Sequence, residues 1–198
     1  MRSKILIGAS LATALFAGGA QANLLSDGSF ENVPLVPVNF TNLLENYGVG
    51  PVGPSWVNGS NFVLAFDTTY TEGGPLNFVT QDGTRAMDLT GAGNQGPVSL
   101  SQTVNLAAGN YLLSFFVGDI SESPNYTLAS SVKVLINNIP VGGTFSNSAG
   151  TGTANWAAMS VPFSSLGGST TVTFSTAGLT LDNFTGLDNV VLTAVPEP

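Results

Sequence analysis

Twelve carboxylates, with no histidine and no cysteine, bound the chemistry open to this 198-residue chain. Without histidine there is no Ser-His-Asp or Cys-His triad, no His-ligated zinc and no ordinary general base near neutral pH. Without cysteine there is no thiol nucleophile and no disulfide. Acid pairs are what remain. Asp82 and Asp88, Asp119 and Glu122, and Asp182 and Asp188 are near neighbours in sequence. Glycoside hydrolysis needs two carboxyls at a set separation across a cleft, and a regular strand would put Asp82 and Asp88 on one face. Nothing around these acids implies a cleft, and acids in polar loops are ordinarily solvated. The aromatic residues offer binding chemistry instead. Tyr47, Trp56, Tyr70 and Tyr126 fall in loop-like stretches, whereas Tyr111 and Trp156 open strands, where a ring packs inward and its polar tip finds a partner. Trp56, Tyr70 and Tyr126 are the candidate ligand-binding rings, although for Trp56 a core role is favoured, because the proline-rich segment around it has to anchor somewhere.

The residues around these candidates place them outside the cytoplasm. Met1-Arg2-Ser3-Lys4, an apolar run from Ile5 to Ala17 and Ala20-Gln21-Ala22 read as a secretory signal peptide, 1–22, cleaved to leave Asn23 first. Cleavage removes Arg2 and Lys4. Arg85 and Lys133 then stand alone against all twelve acids, a formal charge of −10. Such a surface repels nucleic acid and anionic membrane. Each of the two cations sits in a strand, where a surface salt bridge is its expected role.

The elements that must position the candidates read as strands. They are Asn61–Phe66, Thr84–Leu89, Val98–Asn105, Tyr111–Val117, Val132–Ile136, Trp156–Phe163, Thr170–Ser175 and Leu187–Thr193, with a short strand from Asn23. Gln102 falls in the apolar row of Val98, Leu100 and Val104. Gln81-Asp82-Gly83, Ala107–Asn110, Asn137-Asn138, Gly142-Gly143 and Gly167-Gly168 punctuate them as turns. Between Val33 and Pro54, four prolines exclude a central strand, and Leu43, Leu44 and Tyr47 allow one helical turn. Eight or nine short strands without a long helix predict an all-β, two-sheet antiparallel jelly-roll sandwich over residues 23–194, with no internal boundary and no repeat.

The order of these pieces resembles the galactose-binding-like jelly roll of extracellular carbohydrate-binding modules. The likeness runs through Asn23-Leu-Leu, Gly28-Ser-Phe-Glu31, Trp56, Gly83–Leu89, Ser101-Gln-Thr-Val104, Ala108-Gly-Asn-Tyr-Leu-Leu-Ser-Phe115, Trp156 and Gly186-Leu-Asp-Asn-Val-Val-Leu192. It covers nearly the whole chain after the leader. The final Val195-Pro-Glu-Pro198 resembles the start of the PEP-type sorting signal of exopolysaccharide-producing Gram-negative bacteria. In that family a hydrophobic helix and a basic cluster follow, so membrane contact is expected only through an anchor beyond Pro198.

The resemblance implies a structural calcium ion. In related modules a carboxylate after the first strand and one in the last strand meet around Ca²⁺, and Glu31 and Asp188 hold the matching positions. Calcium takes six to eight oxygens, so Asp27 and backbone carbonyls would supply the rest. The same resemblance implies a secreted, non-enzymatic protein of the cell surface or extracellular matrix that associates with extracellular polysaccharide. Two rivals stand beside that reading. One is an adhesive surface protein acting through protein contact or exposed β-edges. The other is a hydrolase or lyase working through carboxylates alone.

Overall fold

The computed structural model describes residues 22–37, 43–68, 70, 76–91, 97–121, 126–176 and 184–197. All of the expected leader but Ala22 lies outside the described residues, as does Pro198. Eleven strands follow in chain order: β1 Val36–Pro37, β2 Leu43–Tyr47, β3 Gly50–Val52, β4 Trp56–Asn58, β5 Val63–Asp67, β6 Arg85–Asp88, β7 Ser99–Asp119, β8 Ser130–Ile136, β9 Ile139–Asn147, β10 Asn155–Thr176 and β11 Gly186–Val195. Every pairing between them is antiparallel, and there is no helix among the described residues. The all-β jelly-roll sandwich expected from the alternation of apolar and polar residues is the fold observed.

Two long strands build it. β7 and β10 pair from Asn155↔Asp119 to Ser175↔Ser99. The second part of β7, from Asn110, also pairs with β11, which pairs with β6, then β5, then β2. The second part of β10, from Val172, pairs with β8, then β9, while the first part of β7 takes β4. One ribbon therefore belongs to both layers. It bends where Leu166 faces Ala108, just before Gly167 and Gly168, each at φ 94°. That left-handed backbone costs glycine little. The Ala107–Asn110 and Gly167-Gly168 clusters, expected to be turns ending strands, are bends inside continuous ones.

Folding the ribbon back brings its two ends face to face across a core. Phe115 of one layer meets Phe174 of the other edge-on, with ring centroids 5.0 Å apart, and Trp56, Phe30, Leu100, Leu113 and Leu187 fill the space around them. A second cluster of Phe66, Phe78, Ile120 and Phe184 lies apart from it. Gln102, the polar residue in the apolar row, is buried; its Oε1 accepts from Ser26 N (2.7 Å) and its Nε2 donates to Ser26 O (2.8 Å). The side-chain amide thus pairs the N-terminal segment as a peptide group would.

Three expectations are corrected. Leu43–Tyr47 is a strand, not a helical turn: β2 pairs with β1 and β5, and the four prolines fall outside it, Pro37 and Pro51 on the short β1 and β3, Pro34 before β1 and Pro54 between β3 and β4. The segment from Asn23 is not a strand. It runs beside β11 through two backbone bonds, Leu24 N to Leu192 O (2.9 Å) and Val190 N to Gly28 O (2.8 Å), and the Asn23 side-chain amide adds further ties. Ile139–Asn147, without a strand signal in the sequence, is one. It returns beside β8 through Asn137 and Asn138 at φ 49° and 65°, a two-residue hairpin turn that asparagine tolerates.

Candidate functional site

The carboxylates named for calcium gather at one corner, and it is built from four segments. Asn23 ties the N-terminal stretch to the last strand: its Nδ2 donates to Val190 O (2.8 Å) and its Oδ1 accepts from Leu192 N (2.9 Å). Val190 N donates to Gly28 O (2.8 Å), so close that a side chain at Gly28 would collide with the Val190 carbonyl. The chain then turns through Asp27 and Phe30, both in the left-handed region at φ 52° and 58°. Trp56 Nε1 holds this turn by donating to Asp27 O (2.9 Å).

Glu31 and Asp188 both grip the 81–85 turn. Glu31 Oε1 accepts from Thr84 N and Arg85 N, each at 2.8 Å, and Oε2 accepts from Thr84 Oγ1 (2.8 Å). Asp188 Oδ2 accepts from Gln81 N (2.9 Å) and Asp82 N (3.0 Å), and Oδ1 from Asn189 N (2.7 Å). Arg85 returns the grip, its guanidinium donating to the Glu31 and Val33 carbonyls at 2.7 Å. Glu31 and Asp188 are thus linked through peptide N–H groups of one turn far from both in sequence. Among the described residues no three acids converge as a ready metal cage.

The corner nevertheless has oxygens to spare. Asp27 Oδ1 accepts from Asn32 N and Nδ2 (both 3.1 Å), but its Oδ2 is buried without a partner, as is Gln81 Oε1. Asp188 is wholly buried. Desolvation pushes its pKa up to about 7, with the charge of Asp82 adding to the rise, against the downward pull of the Asp82, Asn189 and Gln81 N–H bonds. Carboxylate and amide oxygens such as these are the donor types a calcium ion takes.

The three candidate rings part company. Trp56 is buried between Phe30 (5.3 Å) and Phe174 (6.2 Å) and shows no face to solvent. Tyr70 and Tyr126 are half-buried and meet on one ring: Phe78 lies 4.9 Å from Tyr70 and 6.4 Å from Tyr126. Phe66 and Phe184 back Phe78 edge-on, at 5.9 and 5.4 Å. Trp156 joins this cluster, its indole donating to Val79 O (2.9 Å). Tyr126 has φ 56°, an uncommon conformation for an aromatic residue and one that surrounding structure must impose.

The acids considered for catalysis are otherwise engaged. Asp88 Oδ1 accepts from Thr90 N, Thr90 Oγ1 and Thr185 N, and Asp119 accepts from Ser130 N, Ser130 Oγ and Gly150 N. Asp82 is exposed in the turn and Asp88 buried in β6, so no regular strand joins them. Glu122 and Asp182 lie outside the described residues. The bonding of Asp119 to Ser130 is not foreseeable from composition; a Gly-Asp pair at a strand end is its only sequence signal.

No family model matches the chain, and no curated protein matches it. Solved structures do. An arabinose-bound α-L-arabinofuranosidase aligns over 89% of this chain and 27% of its own, at 11% identity and TM-score 0.51. A xylan-binding domain of a Paenibacillus barcinonensis protein aligns over 79% of this chain and 95% of its own, at 14% identity and TM-score 0.49. A carbohydrate-binding module in complex with β-1,4-galactotriose aligns over 88% and 99%, at 14% identity and TM-score 0.44. At these identities the likeness is one of fold.

Proposed function

We propose that the chain is an exported, non-enzymatic protein of the cell surface or extracellular matrix that associates with polysaccharide. The observation that carries this reading is the convergence of Tyr70 and Tyr126, 56 positions apart, on Phe78 at the surface end of an aromatic cluster. Rings fixed by packing bind at low entropic cost, and an amphipathic ring suits a sugar, apolar on its C–H faces and polar at its edges. The non-enzymatic part is supported by the missing histidine and cysteine and by the engagement of Asp88 and Asp119 as structural acceptors. The test uses the exported protein, its N-terminus checked at Asn23 by intact mass. Neutral xylan and β-1,4-galactan are expected to retard it in native gels. Tyr70→Ala with Tyr126→Ala should weaken that retardation by more than about tenfold at unchanged secondary structure. A protein that no glycan retards, with or without calcium, defeats the proposal.

A structural calcium ion belongs to the same reading. Asp27, Gln81, Glu31 and Asp188 would hold it, and it would neutralise the buried Asp188 charge and lock the 81–85 turn to the last strand. Calcium-dependent thermal stability is the measure of it.

A further inference from the structure

The layer made of β4, β8, β9 and the adjoining portions of β7 and β10 has an outward face that shares no residue with the acid corner or the aromatic cluster. Strand parity sets its make-up. Leu100, Val172, Phe174, Val132 and Val134 point inward and are buried. The alternating positions face out: Ser99, Ser101 and Thr103 on β7, opposite Ser175, Thr173 and Thr171 on β10. These six hydroxyl side chains form a ladder in which Thr103 is exposed, Thr173 at its centre is buried between its neighbours and the other four are half-buried, with Thr103 and Thr171 bonded across it at 2.8 Å. Beyond Ser175 the row continues through Lys133 of β8 to Thr144 of β9. None of the acids among the described residues lies on these strand portions, although the chain carries twelve.

We propose that this face is a second polysaccharide contact, for a neutral polymer laid flat across the strands; it rests on the polysaccharide reading above. Charge and area choose the occupant. A carboxylate on a flat face would hold its water tightly and resist being covered, whereas a hydroxyl exchanges water for a polymer hydroxyl at little cost. The chain's net charge of −8 disfavours a polyanion, and one lysine does not reverse it. Four strands of about six residues and the three-residue β4, about 4.8 Å apart at ~3.4 Å per residue, span roughly 450 Å². A standard protein partner needs about 800 Å² per side with an apolar centre. Here Val57, Leu135 and Pro140 are the apolar side chains, with Lys133, among the hydroxyls. A flat, hydroxyl-lined, acid-free patch of that size fits weak, repeated contact along a neutral chain.

The experiment compares the exported wild type with Ser101→Glu/Thr103→Glu, Thr103→Val, Lys133→Gln and Tyr70→Ala/Tyr126→Ala in native gels containing neutral xylan or alginate. The double glutamate variant should lose about tenfold in retardation by xylan, and Thr103→Val about fivefold should the double variant fold poorly. Lys133→Gln should behave as wild type, and added salt should change little. If the glutamate and valine variants match wild type while the tyrosine variant loses retardation, this face is overturned and the polysaccharide reading stands. If wild type is retarded by neither polymer, both fall. Preference for alginate that salt or Lys133→Gln erases overturns the neutral occupant. A concentration-dependent rise in mass that the glutamates abolish makes the occupant a second copy and overturns it too.

Discussion

Asp188 concentrates the physics of the site in one residue. It is wholly buried, its partners are three peptide N–H groups, and burial raises its pKa from 3.8 to about 7. The sign follows from linkage. Between about pH 4 and about pH 7 the folded chain holds a proton at Asp188 that the unfolded chain has released. Stability from this group is therefore complete below the unfolded pKa and is lost as pH rises through the folded one. In chelator, the stability of wild type relative to Asp188→Asn should fall by a few kcal/mol between about pH 4 and about pH 8. Urea denaturation at the two pH values checks it, and a difference that stays flat or grows with pH refutes it. The sequence marked Glu31 and Asp188 as partners through resemblance alone. It could not mark what they hold, because Gln81–Arg85 joins them only when three distant segments close on one corner.

At the scale of elements, the β7–β10 ribbon is the organising unit, and glycines control how closely its neighbours approach. Gly118 pairs with both Trp156 and Gly186, and a Cβ at Gly186 would come 2.7 Å from the Trp156 ring and 2.9 Å from Gly118 Cα. A rigid indole cannot give way as a flexible chain would. Gly186→Ala should cost about 2 kcal/mol, within the range for overpacking. Trp156→Phe should return part of that loss, giving a coupling of about 1 kcal/mol in a double-mutant cycle. Strict additivity of the two changes in chemical denaturation would show that the ring and the glycine do not interact. The strands themselves were legible wherever apolar residues alternate, as in Val98–Val104. Their continuity was not: Ala107–Asn110 and Gly167-Gly168 have turn composition, and only pairing of each bend with the other keeps both extended. β9 was illegible for a related reason. Ile139, Pro140, Gly142 and Gly143 carry no alternation, and its place comes from β8 beside it.

For the whole molecule the decisive property is how charge and burial are shared out. A cysteine-free chain is held by its apolar core and by the ties of the N-terminal segment to β11. An ion at the acid corner would reinforce those ties, since a ligand bound only by the folded state stabilises it by mass action. Calcium at about a hundredfold excess over its dissociation constant should raise the melting temperature of chelator-treated protein by about 5–10 °C. Asp188→Ala should abolish the rise. A melting temperature indifferent to calcium removes the ion from the proposal.

By itself the sequence determined the fold class, the chemistry that is missing and the residues worth testing. Those are local or compositional properties: alternation reports a half-buried strand, and an absent histidine is absent in any conformation. Only the tertiary structure decided that Trp56 belongs to the core while Tyr70 and Tyr126 share Phe78. It alone decided that Glu31 and Asp188 close on the 81–85 turn, and that the acids among the described residues avoid one face of the sandwich. Those outcomes depend on which distant segments meet, and that is settled by pairing and packing across the whole chain, which no stretch of residues encodes on its own.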